Sequence, residues 1–203
     1  MRERLRCLFA VWLTMVSSGR IAQAALIQWP VIDGGNDHYY ELVEESLNWN
    51  DARDAAAART RFGVAGHLAT ITSAEEGAFI TTNFATNHQW IGGFQFDKLA
   101  EPAGHWRWVT DETWSYTNWF APQEPNESGA PEDWAAFGGS NHKDGSLPGQ
   151  WQDWKFFGDP NDRPTGYFVE YDALAIPEPS TLGLLFIGLG SLAVNAKRRF
   201  ASL

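Results

Sequence analysis

The chain has 203 residues, enough for one domain with appendages, and a formal charge of −10. Between Ala25 and Ile176 the acid excess is larger, 8 Lys+Arg against 23 Asp+Glu, so this body repels nucleic acid and anionic glycans and attracts cations. Ten of the 11 tryptophans lie in the same body, which excludes a disordered chain, and the lone cysteine, Cys7, excludes a disulfide framework.

Arg2, Arg4 and Arg6 make a basic start, residues 7–16 an apolar middle too short to span a bilayer, and Ala22-Gln23-Ala24 a small-residue cleavage site. Residues 1–24 are therefore predicted to be a secretory signal peptide. Cys7 leaves with it, and with Cys7 any cysteine nucleophile. Residues 38–43, HYYELV, have strand character. The spacing predicts a helix over 46–62, capped by Ser46, with Leu47, Ala52, Ala55 and Ala56 on one face and Gly63 as its stop. Residues 67–71 form a short apolar run. Ser73-Ala74-Glu75-Glu76 reads as a capping box opening a second helix that runs to about Phe84.

Residues 89–94 read as a strand ending in glycines, and 105–110 alternate Trp106 and Trp108 with polar neighbours, as a half-buried strand does. From Asp111 to Thr165 the chain turns rich in Gly, Pro, Asn and Asp, with short strand candidates at 134–137 and 149–154; residues 166–171 close the domain as a strand. This order predicts an α+β fold in which two helices flank antiparallel sheet. An irregular region of that length inside a compact domain is functional or disordered, and its aromatics argue for function. Trp90, Trp106, Trp108 and Trp119 are expected in the core, and Trp154 either there or stacked on a ligand. His38, His67, His88, His105 and His142 show no metal spacing.

Gln123 to Asp133 gathers Glu124, Glu127, Glu132 and Asp133 with no lysine or arginine. Carboxylates this close repel one another unless a cation sits among them. Ca²⁺ takes six to eight oxygens from such groups. The residues alone leave two readings open, a solvated acidic loop or a hard-cation site; without cysteine, zinc is disfavoured.

From about His38 to Asp172 the chain resembles a C-type lectin-like domain. The resemblance rests on Trp49 and Ala52, His67-Leu68-Ala69-Thr70-Ile71, Glu75-Glu76, Trp90-Ile91-Gly92-Gly93, the stretch Trp114 to Trp119, Glu124-Pro125-Asn126, Glu132 and Trp151-Gln152-Asp153. It implies a long calcium-binding loop region, with Glu124, Asn126, Glu132, Gln152 and Asp153 holding Ca²⁺ and a sugar together. It also implies an auxiliary calcium site from Asp97, Glu101, Glu127 and Asp133. Glu-Pro-Asn goes in that family with mannose-type sugars. The chain departs from the family in having no disulfides: the expected pairs fall near Trp134 and Phe156, and between the first helix and Val169. It departs again in Gln152, which stands where asparagine is usual.

The end of the chain has three parts: Pro177-Glu178-Pro179-Ser180-Thr181, a Gly/Leu-rich apolar segment, and Lys197-Arg198-Arg199. It resembles the PEP-CTERM sorting signal of Gram-negative bacteria. That implies transient anchoring in the inner membrane, processing by an exosortase-type enzyme, and delivery to the envelope surface or extracellular matrix. The expected organisation is a signal peptide at 1–24, a lectin-like domain at 25–173 and a sorting tail at 174–203 with a short membrane segment at 181–196. The expected function is calcium-dependent binding of mannose- or glucose-type polysaccharide, with no nucleic-acid partner and no enzymatic activity. Glu124 with Glu132, or Asp133 with Asp153, could form a glycosidase pair, but a polar loop does not raise the pKa of a catalytic acid. A lectin-like scaffold that binds protein or matrix without calcium is the alternative.

Overall fold

A computed structural model describes residues 25–97, 104–121, 125, 132–138, 147–155 and 164–174. Of the sequence expectations, the signal peptide, Glu101, Glu124, Asn126, Glu127, His142 and the sorting tail lie outside the described residues.

Strand β1 (Leu26–Gln28) pairs with β2 (Tyr39–Val43), which lies antiparallel to the last strand, β9 (Gly166–Tyr171). Helix α1 (Trp49–Ala58) leads into a short hairpin of β3 (Thr60–Arg61) and β4 (Val64–Leu68). Helix α2 spans Ala74–Asn83, and β5 (Gln89–Gln95), β6 (Trp106–Trp108), β7 (Trp134–Phe137) and β8 (Trp151–Trp154) complete the sheet. The strand order is β1-β2-β9-β5-β7-β8, with β4 also on β9 and β6 on β5. The α+β class is as expected, but the sheet is mixed. β5 runs parallel to β9 over Gln89–Trp90 against Gly166–Tyr167; the chain between them passes through β6, β7 and β8, not through a hairpin turn, so the parallel direction is open to it.

Helix α1 is shorter than its sequence suggests. Asn48, not Ser46, caps it by accepting from the Asp51 amide at 2.9 Å, while the Ser46 hydroxyl donates to the Pro164 carbonyl. It ends at Ala58 because Thr60 and Arg61 are drawn into pairing with Ala65 and Val64, and Gly63 takes φ +84° at the hairpin turn instead of capping the helix. Trp49, Ala52 and Ala56 are its buried face. The α2 box forms as expected on one side, Ser73 accepting from the Glu76 amide at 3.1 Å. The Glu76 carboxylate reaches one residue further back than a capping box requires, accepting from the Thr72 amide at 2.7 Å.

Two buried clusters hold the fold. One joins Trp106, Trp108, Trp151, Phe137 and Phe168 with Ile71, Ile80 and Ile91. The other joins Trp49, Ala52, Ala56, Trp90, Tyr167 and Val169. Val169 thus meets the alanines of α1 where the family resemblance placed a disulfide, and aliphatic packing stands in for that cross-link. Gly92 is required where β5 crosses the chain, since a Cβ there would lie 2.7 Å from the Leu68 carbonyl oxygen.

A polar centre beneath α2 was not foreseen. Tyr40 donates to Glu76 at 2.5 Å and lies 3.2 Å from Glu170, whose other oxygen accepts from the Thr70 amide at 2.8 Å; His38 Nδ1 sits 2.6 Å from Glu170. Burial, then the Glu170 charge, push Glu76 above the usual carboxylate range. Burial opposes a charge on His38, but Glu170 outweighs it and holds the imidazole above its ordinary value. Both groups bind protons more tightly folded than unfolded. Their contribution is therefore complete below the unfolded values, near 4.5 for Glu76 and 6.5 for His38, and is lost as pH rises through the folded ones. Glu76→Gln, which mimics the protonated acid, is expected to flatten the fall in melting temperature as the pH rises above 4.5. Parallel curves for variant and parent would show that Glu76 does not titrate there.

Candidate functional site

Strands β7 and β8 pair antiparallel with Trp134 opposite Trp154, Ala135 opposite Asp153, Ala136 opposite Gln152 and Phe137 opposite Trp151. A small alanine faces each of the two polar residues and leaves room for its side chain. Glu132 and Asp133 lead directly into β7, and the Asp133 carbonyl accepts from the Gln95 amide at 2.8 Å, fixing that entry to β5.

Glu132, Asp133, Gln152 and Asp153 are all buried, at 6%, 2%, 1% and 2% exposure. Buried carboxylates need charge partners, and one described partner is Lys155, whose ammonium lies 3.4 Å from Glu132. This donor set consists of oxygen only, three carboxylates and one amide, and it suits a hard cation. Among the described residues no group of three or more His, Cys, Asp or Glu side chains is arranged to hold a metal ion. Two of the expected ligands, Glu124 and Asn126, lie outside them.

A parallel bridge between Trp119 and Trp151 joins the segment ending at Phe120 to β8. The Trp151 amide donates to the Asn118 carbonyl at 2.8 Å, and the Phe120 amide donates to the Trp151 carbonyl at 2.9 Å. β8 is the edge strand, so residues 118–120 run along its outer side, in the direction of Gln152 and Asp153. Glu124 follows four residues after Phe120. Alternation along β8 points Gln152 and Asp153 to opposite faces, so an ion taking both oxygens must sit off the strand's edge.

Trp151 is the hinge of this arrangement. It is fully buried, with Trp108, Tyr116 and Trp119 rings at 5.5–5.6 Å and edge-on. Trp90, Trp106 and Trp108 are buried as expected; Trp119 packs half-buried against the same cluster. Trp154 is half-buried against the other cluster, its ring 4.4 Å from His88. Of the expected auxiliary ligands, Asp133 lines a groove of about 500 Å³ with Trp49, Phe94 and Trp134, and Asp97 Oδ2 lies 2.9 Å from His105 Nδ1. Sequence reasoning passed over Lys155, whose only signal was that it follows a tryptophan-rich strand, and gave His105 no more than an ordinary surface or packing role. It also passed over the bridge at Trp119, for which the sequence carries no signal.

Two helices against a mixed sheet, with Gln152 and Asp153 on its edge strand and Glu132 and Asp133 at the entry to the neighbouring one, fit a C-type lectin-like module. The lectin C-type domain profile matches residues 45–154, and that of the PEP-CTERM protein-sorting motif matches residues 175–199. The chain belongs to the C-type lectin family and carries a PEP-CTERM sorting motif. It is similar to halomucin of Haloquadratum walsbyi, 32% identical over 154 residues, which are 71% of this chain but 2% of that protein. It is 29% identical over 127 residues to lectin BRA-3 of Megabalanus rosa, spanning 63% of this chain and 68% of BRA-3. Among solved structures it resembles the cow CD23 C-type carbohydrate-recognition domain, determined in the presence of a GlcNAc2Man3 oligosaccharide, at 26% identity and a TM-score of 0.51, covering 67% of this chain and 88% of that one. These likenesses point to a binding protein for carbohydrate and not to an enzyme.

Proposed function

We propose that the protein is exported and binds mannose- or glucose-type polysaccharide through Ca²⁺, working at the cell envelope or in extracellular matrix. The observation that supports this reading is the Trp119–Trp151 bridge, which holds residues 118–120, a few positions before Glu124 in the sequence, against the edge strand that bears Gln152 and Asp153. Glu124, Asn126, Glu132, Gln152 and Asp153 would hold the ion, and Asp97, Glu101, Glu127 and Asp133 an auxiliary one. When bound, the ion supplies charge neutralisation and open coordination positions for two neighbouring sugar hydroxyls. The carboxylates accept hydrogen bonds from those hydroxyls, and the Asn126 and Gln152 amides donate to them. Such a shallow site binds one sugar at about millimolar affinity, roughly −4 kcal/mol. Retention on a polymer therefore comes from many copies acting together. The sorting motif supports a transient inner-membrane anchor and an exosortase-type processing partner.

Calcium at about 100 times its Kd is expected to stabilise the fold by about 2.7 kcal/mol, roughly 5–10 °C in melting temperature, and EDTA to reverse it. The chain should be retained on mannose resin and released by EDTA. Glu124→Gln combined with Asn126→Asp should shift retention towards galactose; unchanged preference would mean these are not the ligands. A second reading, a scaffold working without calcium, is favoured by Lys155, whose ammonium already lies 3.4 Å from Glu132. Its signature is a melting temperature that does not respond to millimolar calcium.

A further inference from the structure

Among the described residues the large exposed hydrophobic side chains are Val31, Ile32, Phe62, Phe96, Leu147 and Leu174. Four of them converge on one end of the sheet. A single row of paired residues runs across that end: Gln28 opposite Tyr39, Tyr39 opposite Tyr171, and Tyr171 opposite Gly66. Three segments project beyond the row. The β1–β2 connection carries Val31 and Ile32, the β3–β4 turn carries Phe62, and the exit from β9 carries Leu174. Ile32 is 93% exposed, against an apolar side chain's usual preference for cover.

These side chains are held outward by ordered backbone. The Val31 amide donates to Asp37 Oδ1 at 2.9 Å, the Gly35 amide to the Pro30 carbonyl at 2.9 Å, and Trp29 below them stacks on Phe79 at 5.6 Å. Phe62 leans on Tyr39, a member of the row, with ring centroids 5.1 Å apart. An apolar end fixed in this way by local structure is the mark of a contact surface.

We propose that this end of the domain rests on a lipid bilayer while the tail anchors the chain. The occupant follows from where the chain leaves. Leu174 belongs to the patch, and the sorting motif begins at residue 175. Six residues lie between Leu174 and Thr181, where the apolar segment starts, and the seven Cα-to-Cα steps across them reach at most about 25 Å. The bilayer that takes the segment therefore lies within one short tether of Val31, Ile32 and Phe62. Asp33 and Asp172 stand exposed at the rim, so the favoured surface is zwitterionic and not anionic. Contact at this end orients the oxygen-rich edge relative to the membrane without using any residue of the proposed sugar site. It rests on the anchoring reading of the tail and is independent of the calcium reading.

The test uses the full chain with Cys7→Ser, carrying one new cysteine at a time, Ile32→Cys, Phe62→Cys or Leu147→Cys, each labelled with an environment-sensitive fluorophore. The vesicles are phosphatidylethanolamine and phosphatidylcholine. The expected result is that the chain floats with vesicles and that labels at 32 and 62 shift to the blue and lose access to aqueous iodide, while the label at 147 does neither. A label at 32 as accessible as that at 147 on floated chain overturns the patch while leaving the anchor standing. A chain that does not float overturns the anchor and the proposal with it. A concentration-dependent blue shift at 32 without vesicles assigns the surface to a second copy and overturns the lipid reading.

Discussion

Trp151→Ala is expected to destabilise the domain by about 3–5 kcal/mol and to abolish calcium-dependent retention on mannose resin. The side chain is fully buried among Trp108, Tyr116 and Trp119, so truncation opens a cavity that these three rigid rings cannot collapse to fill. Its backbone also carries both hydrogen bonds of the bridge to residues 118–120. Losing the ring loosens the hold of β8 on residues 118–120. For a domain of this size the loss corresponds to roughly 10 °C in melting temperature. Leu147→Ala, at an exposed position, is the matched control, expected within about 0.5 kcal/mol of the parent. A Trp151→Ala protein that melts with the parent would show that the bridge does not depend on this packing.

The second large effect concerns a charge buried far from the site. Glu41 is 2% exposed in β2; Arg59 Nη1 and Arg61 Nη2 donate to it at 3.1 Å, and the Tyr171 hydroxyl donates at 2.7 Å. Removing both arginines together leaves a carboxylate in the core without a cation, at a cost of about 3–5 kcal/mol. Adding Glu41→Met to that double variant should recover most of the loss, because an apolar side chain needs no partner there. Chemical denaturation of the parent, double and triple variants measures the cycle. A double variant with parental stability would show that Tyr171 alone satisfies Glu41.

The Glu41 case also marks where sequence reading stops. YYELV declares a strand through its aromatic and β-branched residues, and Glu41 within it hints at a buried charge. Nothing nearby in the chain names Arg59, Arg61 or Tyr171, which reach it from 18, 20 and 130 residues away. The Tyr40, Glu76 and Glu170 centre is hidden for the same reason. The sequence exposes Glu76 as a helix-capping residue, while its hydrogen bond to Tyr40 forms across 36 residues.

Local chemistry, by contrast, was legible. The Ser73-x-x-Glu76 signal opened α2 where it stands, and the strands at 134–137 and 166–171 were read with their observed limits, because capping and short apolar runs bounded by turn residues depend on neighbours within a few residues. The α1 boundaries were misread because Asn48 and Ser46 compete for the same cap, and only the distant Pro164 carbonyl decides which is free. The acidic residues around 124–133 and at 153 could be recognised as oxygen donors from composition, and as members of one site by resemblance. That residues 118–120 run beside the strand bearing Asp153 was decided by tertiary structure alone. A pairing such as Trp119 with Trp151 is set by the shape of the aromatic core that both rings fill, and no periodicity within either segment encodes it.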